Sequence, residues 1–349
     1  MTDKNLSAVL HGKEDLQLED MNIPEPGPGE VQVRMQHVGI CGTDLHLYQT
    51  GMLGSKSVKE PMPIGHESAG VISKLGEGVS SVKVGDRVAL EPVFGCMACQ
   101  VCKKGDYNLC KDVKVCGVPP KWGSMTRYFI HRAADCYKLP DHVTTEEGAL
   151  MEPLTIAIHS CRRAGVCLGS KVLVLGDGPI SIMVVLAAKA SGATKICVTG
   201  KHDNRLNVAK QVGAHFCVNV ASKEPKEAAD MVTNALGEMY DCSIDCIGAE
   251  ISIHTAFLAT RSGGNVVLAG LRQNTITIPI LAAVGREVDI RGVMVNAHCY
   301  PIALDMVASG QVNIKPLVSH VFPLEKVNEA FEKAATKDCM KVMIKCSKN

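Results

Sequence analysis

The sequence predicts an α/β protein in which a strand-rich domain is followed by a doubly wound parallel sheet. Short β-like runs separated by Pro/Gly turns extend from Ala8 to about Val93. From Val172 to about Gly292, apolar strands alternate with helical stretches at the spacing of βαβ units. The chain has 349 residues, which is enough for two such domains at roughly 100–200 residues each.

The second predicted domain begins with a strand, a glycine turn and a helix at residues 171–181. The turn reads GDGPIS over 176–181, which departs from the G-x-G-x-x-G fingerprint only at its last position. A turn of this kind presents backbone N–H groups to a pyrophosphate, although an ordinary strand-turn-helix can carry the same letters. We therefore predict cofactor contacts at Gly176, Gly178, Pro179 and Ile180.

Two elements near the C-terminus have no partners in the alternating series. These are a helix over Tyr300–Gly310 and an apolar strand over Lys341–Cys346, and we expect them to return to the first domain. The predicted division is a catalytic domain of residues 1–153 and 296–349 and a dinucleotide-binding domain of residues 154–295.

Composition narrows the class of partner. The 37 Lys and Arg residues nearly balance the 36 Asp and Glu residues, so no broad charge favours nucleic acid or an anionic membrane. No apolar run approaches the ~20 residues of a membrane span, and Met1 to Leu10 lack the pattern of a signal peptide. Many of the 16 cysteines stand singly in apolar strands, where a thiol behaves as a small hydrophobe. We expect a cytoplasmic protein with a small-molecule substrate.

Four closely spaced cysteines predict a metal site, which we call the four-cysteine cluster: Cys96, Cys99, Cys102 and Cys110. Four thiolates complete the tetrahedral coordination of Zn²⁺ and leave no open position, so the expected role is structural. An iron–sulfur cluster is the alternative, because C-x-x-C-x-x-C also ligates clusters. The absence of a C-x₃-C-P ending and the dinucleotide fingerprint downstream favour zinc.

A second set of ligand types is scattered along the chain: Cys41, His66, Glu67 and Glu152. One thiolate, one imidazole and one carboxylate would leave the fourth position of zinc for water or substrate, which is the pattern of a catalytic site. Each residue has an ordinary alternative as a core thiol, a loop histidine or a solvated acid. Their joint occurrence beside the four-cysteine cluster favours the catalytic interpretation.

These residues resemble the zinc-dependent medium-chain dehydrogenase/reductase family. The string G-H-E-x-x-G-x₅-G-x-x-V from Gly65 to Val79 resembles its zinc signature, and the order of domains covers essentially the whole chain. Within the family, Glu152-Pro153-Leu154 and the segments 41–46, 159–165 and 259–264 are similar to the sorbitol (polyol) dehydrogenase branch, of the L-iditol 2-dehydrogenase type. An intact four-cysteine cluster is similar to the ketose reductases. The resemblance implies a GroES-like catalytic domain, a Rossmann-type coenzyme domain and a homotetramer.

The resemblance also implies the chemistry. Zinc acts as a Lewis acid on the substrate oxygen, and hydride passes to or from a nicotinamide ring. Thr43 and His46 are expected to carry the proton towards solvent. Family members use the glutamate at either of the positions that correspond to Glu67 and Glu152 as the third ligand, so the choice between these two residues stays open. Further cofactor contacts are expected after later strands, at Ala269, Gly270, Leu271, Val293, Met294 and Val295.

The end of the second strand bears on which nicotinamide is bound. NAD sites usually carry an acid there, about 20 residues past the glycines, but this chain has Gly200 followed by Lys201. Loss of the acid removes repulsion against a 2′-phosphate, and Lys201 with Arg205 can bond to one. We therefore predict NADP(H) as the preferred cofactor. In the alternative, Asp203 reaches the ribose and NAD(H) binds.

The substrate positions depart from the polyol branch. Leu47, Val118 and Val295-Asn296 stand where that branch has a tyrosine, a threonine and an Arg-Tyr pair, and Glu152 completes the expected set. Because a polyol needs partners for its hydroxyls, two alternatives to a polyol/ketose substrate remain. One is a less polar secondary alcohol or carbonyl compound, and the other is a catalytically silent NADP(H)-binding protein.

Overall fold

A computed structural model describes residues 4–336 and 338–347. It divides into two compact units, the first comprising Met1–Glu152, Tyr300–Ala308 and Ile314–Asn349, and the second Pro153–Cys299 and Ser309–Asn313. Strands and helices are numbered along the whole chain. Among the described residues, no helix combines the length and apolar character needed to cross a membrane.

The strands are β1 (Asn5–Gly12), β2 (Asp15–Met21), β3 (Glu30–Gly39), β4 (Met52–Leu53), β5 (Lys56–Ser57), β6 (Met62–Pro63), β7 (Glu67–Leu75), β8 (Arg87–Leu90), β9 (Val93–Phe94), β10 (Lys114–Val115), β11 (Tyr128–Arg132), β12 (Cys136–Lys138), β13 (Lys171–Leu175), β14 (Lys195–Gly200), β15 (Phe216–Asn219), β16 (Tyr240–Asp245), β17 (Thr260–Leu268), β18 (Asp289–Gly292), β19 (Val318–Pro323) and β20 (Lys341–Lys345).

The helices are α1 (Gly42–Thr50), α2 (Gln100–Lys103), α3 (Thr145–Ala149), α4 (Met151–Ala164), α5 (Pro179–Ala190), α6 (Asp203–Val212), α7 (Pro225–Leu236), α8 (Glu250–Ala259), α9 (Ile280–Val284), α10 (Tyr300–Ala308) and α11 (Val327–Ala335). Short 3₁₀ turns lie at Tyr107–Leu109, Ala133–Asp135, Lys315–Leu317 and Leu324–Lys326.

The first unit is built on a seven-stranded sheet. Its main path runs β12-β8-β7-β3-β20-β19, and β11 also pairs with β3. The C-terminal strand β20 pairs antiparallel with β3, with Met343 opposite Gly39. Apolar side chains of β3, β7, β8 and β20 pack in one core with Phe331 of α11. This pairing brings residues about 300 positions apart in the chain next to one another.

The second unit is a six-stranded parallel sheet in the order β15-β14-β13-β16-β17-β18. Counted within the unit, this is the order 3-2-1-4-5-6 of the doubly wound dinucleotide-binding fold. The sequence KVLVL of β13 is buried except at its first residue, as expected for a parallel strand covered on both faces. The structure confirms the predicted doubly wound sheet and adds β15, α7, α8 and α9, which the sequence analysis did not assign.

The helix after β13 begins where the glycine turn predicts. Gly178 is its N-cap and Pro179 occupies its first position, where a proline loses no hydrogen bond because that N–H has no intrahelical partner. Gly176 has a φ of +120°, which disfavours side chains. A Cβ on Gly176 would also lie 2.7 Å from Ser181 Oγ. Both the backbone conformation at position 176 and the space around it therefore favour glycine over any residue with a side chain.

Candidate active site

The first unit brings three of the predicted ligands together in what we call the mixed cluster: Cys41, His66 and Glu67. One ligand atom from each lies within 4.8 Å of the other two. Cys41 precedes α1, whereas Glu67 is the first residue of β7 and His66 comes directly before it. His66 and Glu67 are buried, and Cys41 is half-buried. Donors held ~2.0–2.3 Å from one zinc ion must lie about this close to each other, so the donor set and its spacing fit zinc.

The loop of Cys41 and the loop of His66 are joined by Asp44, which is completely buried. Asp44 Oδ2 accepts a 3.0 Å hydrogen bond from the Cys41 N–H, and Oδ1 accepts one of 3.2 Å from the Gly65 N–H. Asp44 Oδ1 also lies 3.4 Å from His66 Nδ1. A carboxylate behind a metal-binding imidazole orients the ring and makes it a better ligand.

The negative groups around His66 stabilise the protonated form of its imidazole. Burial disfavours the charged imidazole, but the Asp44 carboxylate and the Cys41 sulfur outweigh it, so the pKa of His66 is raised well above 6.5. The cluster therefore attracts positive charge, either a proton or a cation. That property suits a metal site, because a bound metal takes the place of the proton.

Lys341 reaches Glu67 from the opposite end of the chain. Its Nζ donates to both carboxylate oxygens of Glu67 at 2.7 Å and to the Ile40 carbonyl at 3.2 Å. Both side chains are buried, at 4% and 1% exposure. Burial disfavours the ammonium, but Glu67 and then Cys41 outweigh it, so the pKa of Lys341 is raised. Gly39 lies opposite Glu67 on β3, and a side chain there would collide with the Glu67 carboxylate.

Glu152 lies in the same electrostatic environment but outside the group of three ligands. It is 2% exposed, and burial raises its pKa to about 7, opposed by His66 and assisted by Glu67. This carboxyl therefore gains or loses a proton near neutral pH. The structure thus places Glu67 with Cys41 and His66, and Glu152 as a second carboxyl coupled to them.

The two predicted proton carriers follow Cys41 on α1. Thr43 is half-buried and His46 is exposed. Residues three apart in a helix share a face, so these side chains lead from the half-buried start of α1 to its exposed side.

The four-cysteine cluster forms in the same unit. All four sulfur atoms lie within 4.8 Å of one another, and backbone N–H groups of Cys96, Cys99 and Cys102 point at cluster sulfurs over 3.3–3.5 Å. Hydrogen bonds from the N–H groups of Ala98 and Cys99 lower the pKa of Cys96 to about 6, whereas burial raises that of Cys102 to about 12. All sixteen cysteines are free thiols, so no disulfide competes for these sulfurs.

In the second unit, the predicted cofactor residues line the carboxyl ends of the parallel strands, where dinucleotides bind in this fold. Gly178 has open space where a Cβ would stand, so the N-terminus of α5 can be approached closely. Ala269 and Gly270 follow β17, and their N–H groups both donate to the Asp245 carbonyl at 2.9 Å. Leu271 is 80% exposed. Residues 293–295 follow β18, and the cradle fits a dinucleotide.

The turn after β14 is held by an acid from the glycine turn. Asp177 Oδ2 accepts hydrogen bonds from the N–H groups of Lys201 (2.8 Å) and His202 (3.0 Å) and lies 2.9 Å from His202 Nδ1. Arg205 Nη1 lies 3.9 Å from Asp177 Oδ1. Lys201 is exposed. Asp203 Oδ1 accepts a 2.6 Å hydrogen bond from Asn219 at the end of β15, so its carboxylate is engaged there.

The predicted substrate residues differ in environment. Leu47 is fully buried in the apolar core of the first unit, and Val118 is 7% exposed. Val295 adopts a positive φ of +47°. Asn296 is fully buried, and neither its Oδ1 nor its Nδ2 has a hydrogen-bond partner within the described part of the chain. Such a buried amide is costly unless a ligand or water satisfies it.

Comparison with known proteins gives the family. An alcohol dehydrogenase GroES-like domain matches residues 27–141, and a zinc-binding dehydrogenase domain matches residues 179–309. Sorbitol dehydrogenase of Macaca fascicularis is 49% identical over 346 residues, which is 99% of this chain and 97% of the relative. The chain belongs to the zinc-dependent medium-chain dehydrogenases, in the sorbitol dehydrogenase branch. This confirms the predicted fold class and a zinc-dependent alcohol or polyol dehydrogenase activity.

Solved structures of similar proteins contain either nicotinamide cofactor. An alcohol dehydrogenase of E. coli complexed with NADH has a TM-score of 0.90 at 28% identity, covering 98% of this chain and 100% of that one. A zinc-binding dehydrogenase of Sinorhizobium meliloti bound to NADP has a TM-score of 0.91 at 26% identity, covering 99% and 100%. The fold therefore serves both cofactors, and the choice depends on local residues.

Two residues of the site were missed by the sequence analysis. Asp44 stands three residues after Cys41, the spacing at which a side chain reaches back to a helix N-cap, so a local signal was present. Lys341 is a cation at the start of an apolar terminal strand, and its partner Glu67 is 274 residues away. Only the pairing of β20 with β3 reveals it.

Proposed function

We propose that this dehydrogenase interconverts a polyol of the sorbitol or xylitol type and its ketose, with NADP(H) as the preferred cofactor and NAD(H) as an alternative. The mixed cluster carries the proposal. Its thiolate, imidazole and carboxylate lie close enough together to bind one zinc ion, and a zinc ion with three protein ligands has a fourth position for a substrate oxygen. When bound, zinc supplies Lewis-acid polarisation of the alcohol or carbonyl oxygen, and the nicotinamide supplies or accepts hydride.

The proposed metal ligands are Cys41, His66 and Glu67 for a catalytic zinc and the four-cysteine cluster for a structural zinc. Asp44 orients His66, and Lys341 balances the charge of Glu67. Glu152, with its pKa near 7, would hold the metal-bound water or a substrate hydroxyl. Two zinc ions per chain are expected.

Thr43 and His46 form the proposed proton route. A hydroxyl in the half-buried position accepts or donates a proton at the substrate oxygen, and the exposed imidazole exchanges it with water. Their placement three residues apart on α1 supports this order.

The preference for NADP(H) is supported by the turn after β14. Gly200 offers no carboxylate of its own, and the exposed Lys201 carries a charge suited to a 2′-phosphate. Substituting Gly200 by Asp alone is a poor test, because a Cβ there would lie 2.6 Å from Asp177 Cβ. Measuring kcat/KM for both cofactors is direct, and a preference for NAD(H) would overturn this part of the proposal.

Asn296 is the polar group best suited to a polyol hydroxyl, because its buried amide has unsatisfied donors and an acceptor. The apolar side chains of Leu47 and Val118, at positions where the polyol branch has a tyrosine and a threonine, favour a second candidate, a less polar secondary alcohol or carbonyl compound. Fewer polar groups then need partners.

One activity screen separates these candidates. Sorbitol, xylitol, fructose and simple secondary alcohols are assayed with each nicotinamide cofactor, with and without a chelator, on protein of known zinc content. Polyol turnover that the chelator abolishes supports the leading proposal, and turnover of simple secondary alcohols alone supports the second. No turnover of any compound by protein holding two zinc ions would indicate a silent cofactor-binding protein.

The family resemblance further supports a homotetramer working in the cytoplasm. Light scattering coupled to gel filtration measures the assembly, and a monomer at micromolar concentration would overturn that proposal.

A further inference from the structure

The adenosine end of the cofactor cradle contains an acid in an unusual place. In this fold the acid that bonds the ribose hydroxyls usually ends the second strand, about 20 residues past the glycines. Here that strand, β14, ends at Gly200, and the acid is Asp177, inside the glycine turn after β13. The two strands are neighbours in the sheet, with Leu175 paired to Thr199.

The Asp177 carboxylate is fixed at the end of β14. Its Oδ2 lies within 2.8–3.0 Å of three nitrogen atoms, all of which belong to Lys201 and His202. The side chain therefore crosses from the end of one strand to the turn that follows the next.

Asp177 and a side chain at position 200 exclude one another. A Cβ on Gly200 would lie 2.6 Å from Asp177 Cβ and 2.7 Å from its Oδ2, which is closer than real Cβ atoms approach. The space at the end of β14 therefore accommodates a carboxylate side chain from position 177 or from position 200, but not both at once.

The charge of this acid opposes that of its neighbours. Burial favours the neutral acid, but hydrogen bonds from the Lys201 N–H and from His202 outweigh it, so the pKa of Asp177 is lowered and the group is ionised at neutral pH. An ionised carboxylate accepts hydrogen bonds from ribose hydroxyls and repels a 2′-phosphate. It also lies opposite Arg205, which reduces the positive charge available to a phosphate.

We propose that Asp177 is the residue that sets the cofactor selectivity of this enzyme, acting from the glycine turn as the ribose-binding acid that β14 lacks. This rests on the proposed function as a nicotinamide-dependent dehydrogenase. Asp177 keeps NAD(H) usable and limits the preference for NADP(H) that Lys201 and Arg205 create.

The test measures binding of NADH and NADPH separately, by the fluorescence of the reduced nicotinamide, on the full-length zinc-loaded protein. Asp177→Asn keeps an oxygen for the backbone N–H groups but removes the charge, and Asp177→Ala removes both. In each variant NADH should bind more weakly relative to NADPH, by about 10-fold or more, because a hydrogen bond to a charged group is lost. The double variant D177G/G200D removes the Cβ that a side chain at position 200 would meet, moves the carboxylate to β14 and should restore NADH binding.

Asp230→Ala is the matched control, because it removes a carboxylate on α7 whose ion pair with Lys226 is exposed. It should leave both dissociation constants unchanged. A ratio of NADH to NADPH affinity that is unchanged in both Asp177 variants would overturn the inference while leaving the dehydrogenase proposal intact. Wild-type protein that binds neither cofactor would overturn both. If Asp177→Ala fails to fold, Asp177→Asn alone decides.

Discussion

The ion pair between Lys341 and Glu67 gives a stability prediction that depends on the metal site. Replacing Lys341 by Met keeps an unbranched side chain but removes the charge. Glu67, which is 1% exposed and bonded through both oxygens to Lys341, would then lose the cation that is hydrogen-bonded to it, and protein stripped of zinc has no metal to replace that charge. The Ile40 carbonyl would also lose its donor.

The magnitude follows from burial. Breaking a buried pair by removing one partner costs about 3–5 kcal/mol, because the remaining charge is uncompensated. For a domain of 150–250 residues, each kcal/mol corresponds to about 2–4 °C in melting temperature. Lys341→Met should therefore lower the melting temperature of the chelator-treated protein by about 6–20 °C. The loss should be smaller with zinc, because the metal then opposes the Glu67 charge.

The assay is calorimetry of four proteins under identical chelator treatment. Lys326→Met is the control, because its pair with Glu329 is exposed and should contribute about 0–1 kcal/mol. The double variant E67Q/K341M should recover most of the loss, since neither member of the pair is then charged. A Lys341→Met protein that melts with the control, or a double variant no more stable than Lys341→Met, would refute this account of the pair.

Two further predictions concern other parts of the first unit. His131 is buried between Phe94 and Phe129 with no hydrogen bond to either ring nitrogen among the described residues, and burial, with the Arg132 charge, lowers its pKa to about 3. Because the unfolded chain binds this proton near pH 6.5 and the folded protein does not, stability falls as the pH drops from 6.5 towards 3, by about 5 kcal/mol at 1.36 kcal/mol per pKa unit. His131→Phe should remove this loss, and urea unfolding curves at pH 4 and 7 with equal pH dependence in both proteins would contradict it. Cys110→Ser should lower the zinc content, measured by atomic emission, from about two ions per chain to about one. The control Cys197→Ala, at a buried cysteine of β14, should keep both ions. Unchanged zinc content in Cys110→Ser would show that the four-cysteine cluster does not hold metal.

Local patterns were the most informative part of the sequence. The spacing of the four cysteines confines their sulfurs to one short loop, and the structure brings them within 4.8 Å. The glycine turn likewise fixes the start of α5 at Pro179. Strand and helix limits shifted by a few residues, as for the helix predicted over Tyr300–Gly310, which ends at Ala308. Such ends depend on contacts beyond the local pattern.

The cofactor corner shows where sequence reasoning stopped. Gly200 at the end of β14 indicates the loss of an acid, because no carboxylate stands at that position of the strand. The parallel pairing of β13 with β14 sets Asp177 beside that position although the two residues are 23 apart in sequence. A gap in one strand can thus be filled by a side chain from its neighbour, and the sequence alone does not reveal the exchange.

The sequence by itself determined the fold class and predicted the four-cysteine cluster, the mixed cluster up to the choice between Glu67 and Glu152, and the glycine turn, because each depends on residue types in recognisable patterns or on the periodicity of strands and helices. The tertiary structure decided how charges are balanced. It paired Lys341 with Glu67 and placed the Asp44 carboxylate beside the His66 imidazole. It also placed the Asp177 side chain in the space that a side chain on Gly200 would occupy. The physical reason is that Coulomb and hydrogen-bond energies depend on distances of a few ångströms, and non-local strand pairing sets those distances.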